Sequence, residues 1–226
     1  MQKNKFLIPL AIVVAGGLIA GAIYFGASSQ PTANSQQPTA NTNIDIAPVT
    51  EKDHIRGSIT ADLVIVEYSD TECPYCKVFH KTMRDILSTY GGKVAWVYRQ
   101  FPIPQLHARA SKEAEATECA AELGGNGAFW NYLDKIFETT QSNDSLDPAE
   151  LPKIAAAIGL DVNSFNTCLS SGRYADFITK SIEEAVKAGA RGTPYSIIIA
   201  KDGTKTAING AEPFASVKAK IDLLLK

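Results

Sequence analysis

Leu63-Val64-Ile65-Val66-Glu67-Tyr68, followed after a short polar break by Cys73-Pro74-Tyr75-Cys76, sets a Cys-x-x-Cys pair between an apolar strand and a helix. The helix is legible in its spacing. Phe79, Met83, Ile86, Leu87 and Tyr90 recur at helical intervals, Pro74 takes a first-turn position where a missing N–H costs nothing, and Gly91-Gly92 supplies the stop. Carrying the apolar stripe back one turn lands on Cys76, which leaves Cys73 at the N-cap. The two thiols are therefore unequal. Cys73 faces unpaired backbone N–H groups and the positive end of the helix dipole, which lowers a thiol from about 8.5 toward roughly 3.5–7.5 and marks it as the nucleophile. Cys76, one turn further in, is placed to resolve a mixed disulfide.

Glu67 interrupts an otherwise apolar strand. A carboxylate there is costly unless it manages a proton or meets a partner, so it is assigned proton transfer to and from Cys76. Two other readings stay open. Glu67 could point outward from an edge strand, and Cys73, Cys76 and His80 could form part of a non-catalytic zinc module, although a structural zinc needs a fourth ligand and usually a second close pair. Nothing in the chain calls for a cofactor or a catalytic metal.

The N-terminus bears on the compartment. Residues 6–25 carry no charge, enough for a helix to cross a hydrocarbon core of about 30 Å, and Lys3 and Lys5 precede them. The positive-inside rule then puts a short basic tail (1–5) in the cytoplasm, a membrane anchor at 6–26 and all that follows outside. Ala27-Ser28-Ser29 offers a competing cleavage site, but the apolar run exceeds a usual signal-peptide core. Residues 27–45, rich in Ser, Gln, Pro, Thr and Asn, read as a flexible linker. Residues 46–226 suffice for one domain. With 22 basic and 24 acidic residues, the chain has no basic excess suggesting nucleic acid.

Beyond the first helix, residues 93–101 alternate as a strand that ends at Pro102 and Pro104. Helical patterns then cover 107–123, 128–139, 148–158, 162–170 and 174–188. Strands return at 195–200 and 204–208 around Asp202-Gly203, and a helix over 213–225 closes the chain. This order predicts an α/β core with an all-helical insertion at about 105–189. Cys119 and Cys168, both in the insertion, are expected to form a structural disulfide; two separate buried thiols are the alternative. His54 and His107 read as surface residues, Arg99 as a strand-end arginine and Trp130 as a helical core residue.

Val66-Glu67-Tyr68-Ser69-Asp70, Cys73-Pro74-Tyr75-Cys76, Phe101-Pro102 and Arg191-Gly192-Thr193-Pro194 together resemble the DsbA-like thiol:disulfide oxidoreductases. That resemblance implies a thioredoxin-like fold, a cis Pro194 against the active-site pair, and Thr193 offering backbone hydrogen bonds to an extended substrate, with Pro74 and Tyr75 beside it. The exported compartment favours oxidation of thiol-containing exported polypeptides, and the resemblance implies recycling by a quinone-linked membrane partner of the DsbB or vitamin K epoxide reductase type. Disulfide reduction or isomerisation in the same compartment is the alternative. Pro74-Tyr75 is similar to the central dipeptide of glutaredoxins rather than to Pro-His, and Tyr75 brings no positive charge to Cys73, so a weaker oxidant is expected.

Overall fold

The computed structural model describes residues 44–226. The proposed anchor and nearly all of the linker lie outside them. Among the described residues no helix is long and apolar enough to cross a membrane.

The run at Leu63–Ser69 (β2) has Leu63, Ile65, Val66, Glu67, Tyr68 and Ser69 all buried. A strand apolar on both faces belongs in the middle of a covered sheet. It pairs in parallel with Val94–Gln100 (β3) and antiparallel with Tyr195–Ala200 (β4). Lys205–Asn209 (β5) extends the sheet from β4, and His54–Arg56 (β1) adds to β3, giving the order β1-β3-β2-β4-β5. β1 escaped the sequence reading because three residues are too few to show alternation.

Residues alternate between two faces. Leu63, Ile65, Trp96, Tyr98 and Ile198 pack with Phe79, Met83 and Ile86 of Pro74–Tyr90 (α1) and with Val217 and Ile221 of Phe214–Leu224 (α6). Val66, Tyr68, Val97 and Ile197 face the other way, onto Ala185 of Ala175–Lys187 (α5). Glu67 shares the face of α1, which carries Cys76.

The helical insertion comprises Ala110–Thr139 (α2), Glu150–Ala157 (α3), Val162–Ser171 (α4) and α5. The two helices expected at 107–123 and 128–139 are the halves of α2, joined across a kink at Gly125 (φ 71°, ψ −168°). Gly124 beside it is also constrained, because a Cβ there would fall 2.6 Å from the Ala128 Cβ. The insertion has its own core of Ala116, Ala120, Tyr132, Ile136, Ile154 and Phe165. Within it Cys119 and Cys168 are joined in a disulfide.

Candidate active site

Cys73 is the N-cap of α1, with extended backbone (φ −76°, ψ 121°) and Pro74 in the first turn. Its thiol donates to the Thr193 carbonyl at 3.4 Å, and the Thr193–Pro194 peptide bond is cis. The loop before β4 thus lies against the head of α1, beside a cleft of about 230 Å³ lined by Arg191, Thr193, Pro194, Tyr195 and Asn209. Tyr75, in the first turn of α1, is two-thirds exposed.

Cys73 is not the freely accessible thiol that an N-cap position suggests: it is 5% exposed against 0% for Cys76, because the Thr193 carbonyl sits over it. What access there is belongs to Cys73. A hydrogen bond from the Cys76 thiol, aided by Thr193 and by the Tyr75 and Cys76 backbone N–H groups, brings its pKa down to about 6, although burial opposes this. Sequence reasoning put the helix terminus first; the neighbouring thiol is the larger cause. Burial, then the hydrogen bond with Cys73, and after it the negative charge of Cys73 and Glu67, raise Cys76 well above its ordinary value.

Glu67 lies in mid-sheet, opposite Tyr98 on one side and Ser196 on the other, so it does not point outward from an edge strand. Burial raises its pKa to about 7, against the nearby Ser69 hydroxyl and the hydrogen bond that Trp96 Nε1 donates to Oε2 at 2.9 Å. Oε1 is buried without a partner, as are the hydroxyls of Ser69, Tyr98 and Ser196. A buried carboxylate with an unpaired oxygen is costly, and protonation relieves that cost by removing the charge. Glu67 therefore can take up and return a proton near neutrality.

His80 is turned elsewhere. It is buried against Asp134, with Nε2 2.7 Å from Oδ1. Among the described residues no group of three or more His, Cys, Asp or Glu side chains is placed to hold a metal.

The histidine readings need correction. His107 is buried, with Nδ1 2.9 Å from Asp70 Oδ2, and His54 stacks on Phe129 with Nε2 2.9 Å from Glu118 Oε2. Arg99 is drawn into the sheet face opposite the site by Asp53 and Glu184, and Trp130 packs on Trp96 in the core. Sequence reasoning also missed the turn between β2 and Cys73, where Asp70, Thr71 and Glu72 are all buried. The Asp70 N–H donates to Cys76 Sγ at 3.4 Å, and the Cys73 N–H to the Asp70 carbonyl at 3.2 Å. Three polar residues between a buried strand and a helix cap were the available signal; a solvated turn gives the same pattern.

An N-cap thiol of lowered pKa, a shielded partner one turn inward, a buried acid behind both and a cis-proline opposite make up a thioredoxin-type site. A family model described as thioredoxin matches residues 49–222, and the chain belongs to that family. Within it the chain is a DsbA-like thiol:disulfide oxidoreductase. The crystal structure of Pseudomonas aeruginosa DsbA2 superposes with a TM-score of 0.67 at 26% identity, covering 79% of this chain and 97% of that one. BdbD from Bacillus subtilis, at 20% identity and TM-score 0.66 over 76% of this chain and 92% of its own, shares the fold. Similarity also extends to proteins named Na(+)/H(+) antiporters. NhaA 3 of Salinispora tropica is 36% identical over 144 residues, and NhaA 1 of Mycolicibacterium vanbaalenii is 31% identical over 146. Each match covers 64% of this chain, which spans only 21% and 23% of the length of those two relatives.

Proposed function

We propose that the protein is a membrane-tethered oxidase of exported polypeptides, with Cys73 as nucleophile, Cys76 as resolving thiol and Glu67 as proton carrier. The observation that carries this reading is the inequality of the two thiols: Cys73 is lowered to about 6 beside the cis-proline loop, whereas Cys76 is raised beside a carboxyl near 7.

In oxidation, a substrate thiolate attacks Cys73 of the Cys73–Cys76 disulfide and expels the Cys76 thiolate, which Glu67 protonates. A second substrate thiolate then attacks the substrate sulfur of the mixed disulfide. Cys73 leaves as a thiolate, a good leaving group because its pKa is low. Two electrons pass from the substrate dithiol to the enzyme, and the substrate gains one disulfide. The Thr193–Pro194 loop lies against the sulfur under attack, and Pro74 and Tyr75, which follow Cys73 in the first turn of α1, would meet the substrate from the helix side. A quinone-linked membrane protein would remove the two electrons.

Lys3 and Lys5 before an uncharged span support a tether with the domain on the outer face, where oxidised cysteine pairs persist. Similarity to one part of proteins named antiporters suits a domain working beside a membrane, and antiport is not proposed for this chain.

Equilibration in glutathione buffers tests the direction. An oxidase should have a potential at or above about −180 mV, from which transfer to a substrate pair near −300 mV is favourable by roughly 5 kcal/mol. A potential near −270 mV would move the protein to the reductive branch, as a reductase or isomerase.

A further inference from the structure

Three carboxyl groups, those of Asp70, Glu72 and Glu113, are buried in and under the turn that carries Cys73. Negative charge gathered there opposes a thiolate. Each group is handled differently. Glu72 accepts from the Thr140 hydroxyl and from the Ser145 and Leu146 N–H groups, so its charge meets hydrogen-bond donors. Burial raises Glu113 to about 8, which keeps it neutral at pH 7, and the Thr71 hydroxyl lies 2.7 Å from its Oε2. Asp70 accepts from the Glu72 and Ile103 N–H groups and is ion-paired with His107.

The ionisable groups that face His107 come from three directions: Asp70 from the turn after β2, Cys73 from the head of α1 and Asp144 from the loop after α2. All three favour an imidazolium. Burial disfavours it, yet the balance raises the His107 pKa.

We propose that His107, gripped by Asp70, is a positioning residue for thiol–disulfide exchange: its imidazolium cancels the Asp70 charge beneath the nucleophile and so favours the Cys73 thiolate. The positive charge that Tyr75 does not bring to the central dipeptide comes instead from the loop between β3 and α2. This inference rests on Cys73 being the nucleophile of the proposed reaction. A rival account makes the pair a plain strut that pins the turn to residues 103–107.

Full-length reduced protein separates the two accounts. The Cys73 pKa is read from thiolate absorbance and from the pH dependence of iodoacetamide alkylation, in wild type and in His107→Gln, Asp70→Asn and the double variant. Glutamine keeps a donor for Asp70 but carries no charge. His107→Gln is expected to raise the Cys73 pKa by about one unit, a roughly tenfold loss of thiolate at a fixed pH below it, and to shift the glutathione equilibrium about as far toward the disulfide. The double variant should recover most of both effects, because the uncancelled carboxylate has gone. Asp70→Asn alone should leave Cys73 at least as acidic as in wild type, and it serves by itself if His107→Gln does not fold. An unchanged Cys73 pKa in His107→Gln, a double variant no better than the single one, or a raised pKa in Asp70→Asn overturns the proposal. Failure of the parent reading shows separately, as wild-type protein that does not exchange with glutathione at all.

Discussion

Two pairs of sulfur atoms share this chain, and their surroundings have almost nothing in common. Cys119 and Cys168 lie 49 residues apart in sequence and meet among Ala116, Ala120, Tyr132 and Phe165, in the core of the helical insertion. Cys73 and Cys76 are one helical turn apart, where a helix N-terminus, a mid-sheet carboxyl group and a cis-proline loop converge. A largely apolar setting, with the Glu122 carboxyl group 3.8 Å from Cys168 Sγ, gives neither sulfur of the first pair a reason to leave as a thiolate. The second setting lowers one thiol and raises the other, which is what exchange requires. Reactivity here belongs to the environment of a pair rather than to its being a pair.

Removing the nucleophile tests that contrast hardest. Cys73→Ser should abolish exchange with glutathione, whereas Cys76→Ser should still accumulate mixed disulfides on Cys73. In wild-type reduced protein, alkylation at mildly acidic pH should label Cys73 first, as peptide mapping will read. Preferential labelling of Cys76 would invert the assignment.

The opposite test strikes at stability. Replacing both Cys119 and Cys168 by Ala releases a loop of about 50 residues, worth roughly 4 kcal/mol on the chain-entropy estimate. Denaturant unfolding should show that loss with the potential of Cys73–Cys76 unchanged. Under mild reduction the wild-type Cys119–Cys168 bond should outlast the other pair, since structural disulfides in secreted proteins usually lie below about −300 mV.

Glu67→Gln should slow, by roughly tenfold near pH 7, the steps in which Cys76 gains or loses a proton. Resolution of a trapped mixed disulfide, followed across the neutral range, reads it; a wild-type rate throughout removes the proton-carrying role. Stability gives an independent sign. A carboxyl raised from 4.5 to about 7 binds its proton more tightly in the folded protein. The Glu67 contribution to folding stability therefore falls as pH rises from about 4.5 to 7, by an amount on the order of 3 kcal/mol, and Glu67→Gln should remove that part of the pH dependence while leaving the part due to Glu113.

Tyr75→His is the finest adjustment. A partly positive ring at this exposed position should favour the Cys73 thiolate and raise the potential by tens of millivolts, where about 30 mV is 1.4 kcal/mol. No change in potential would mean that the side chain does not reach the thiolate electrostatically.

Much of this site could be read along the chain because its parts are local. The N-cap position of Cys73, the stripe through Cys76, Phe79 and Met83, and the interruption at Glu67 each depend on residues within a turn or two, where spacing and side-chain type govern backbone geometry. The helical insertion was legible for the same reason, since glycines and prolines punctuate it. By itself the sequence also determined that two sulfurs would sit in different surroundings, through their different places on one helix.

Other matters passed to the tertiary structure because they act through space. Strand order put Glu67 between Tyr98 and Ser196, 31 and 129 residues further along the chain, and burial there raised its pKa. Packing brought the Thr193 carbonyl over Cys73 and left that thiol less open than its cap position suggests. Folding also turned His107 inward onto Asp70 and joined Cys119 to Cys168. Desolvation and charge fall off with distance in the folded molecule rather than with separation in the chain, so local sequence can place a reactive group while only the packed structure sets its pKa.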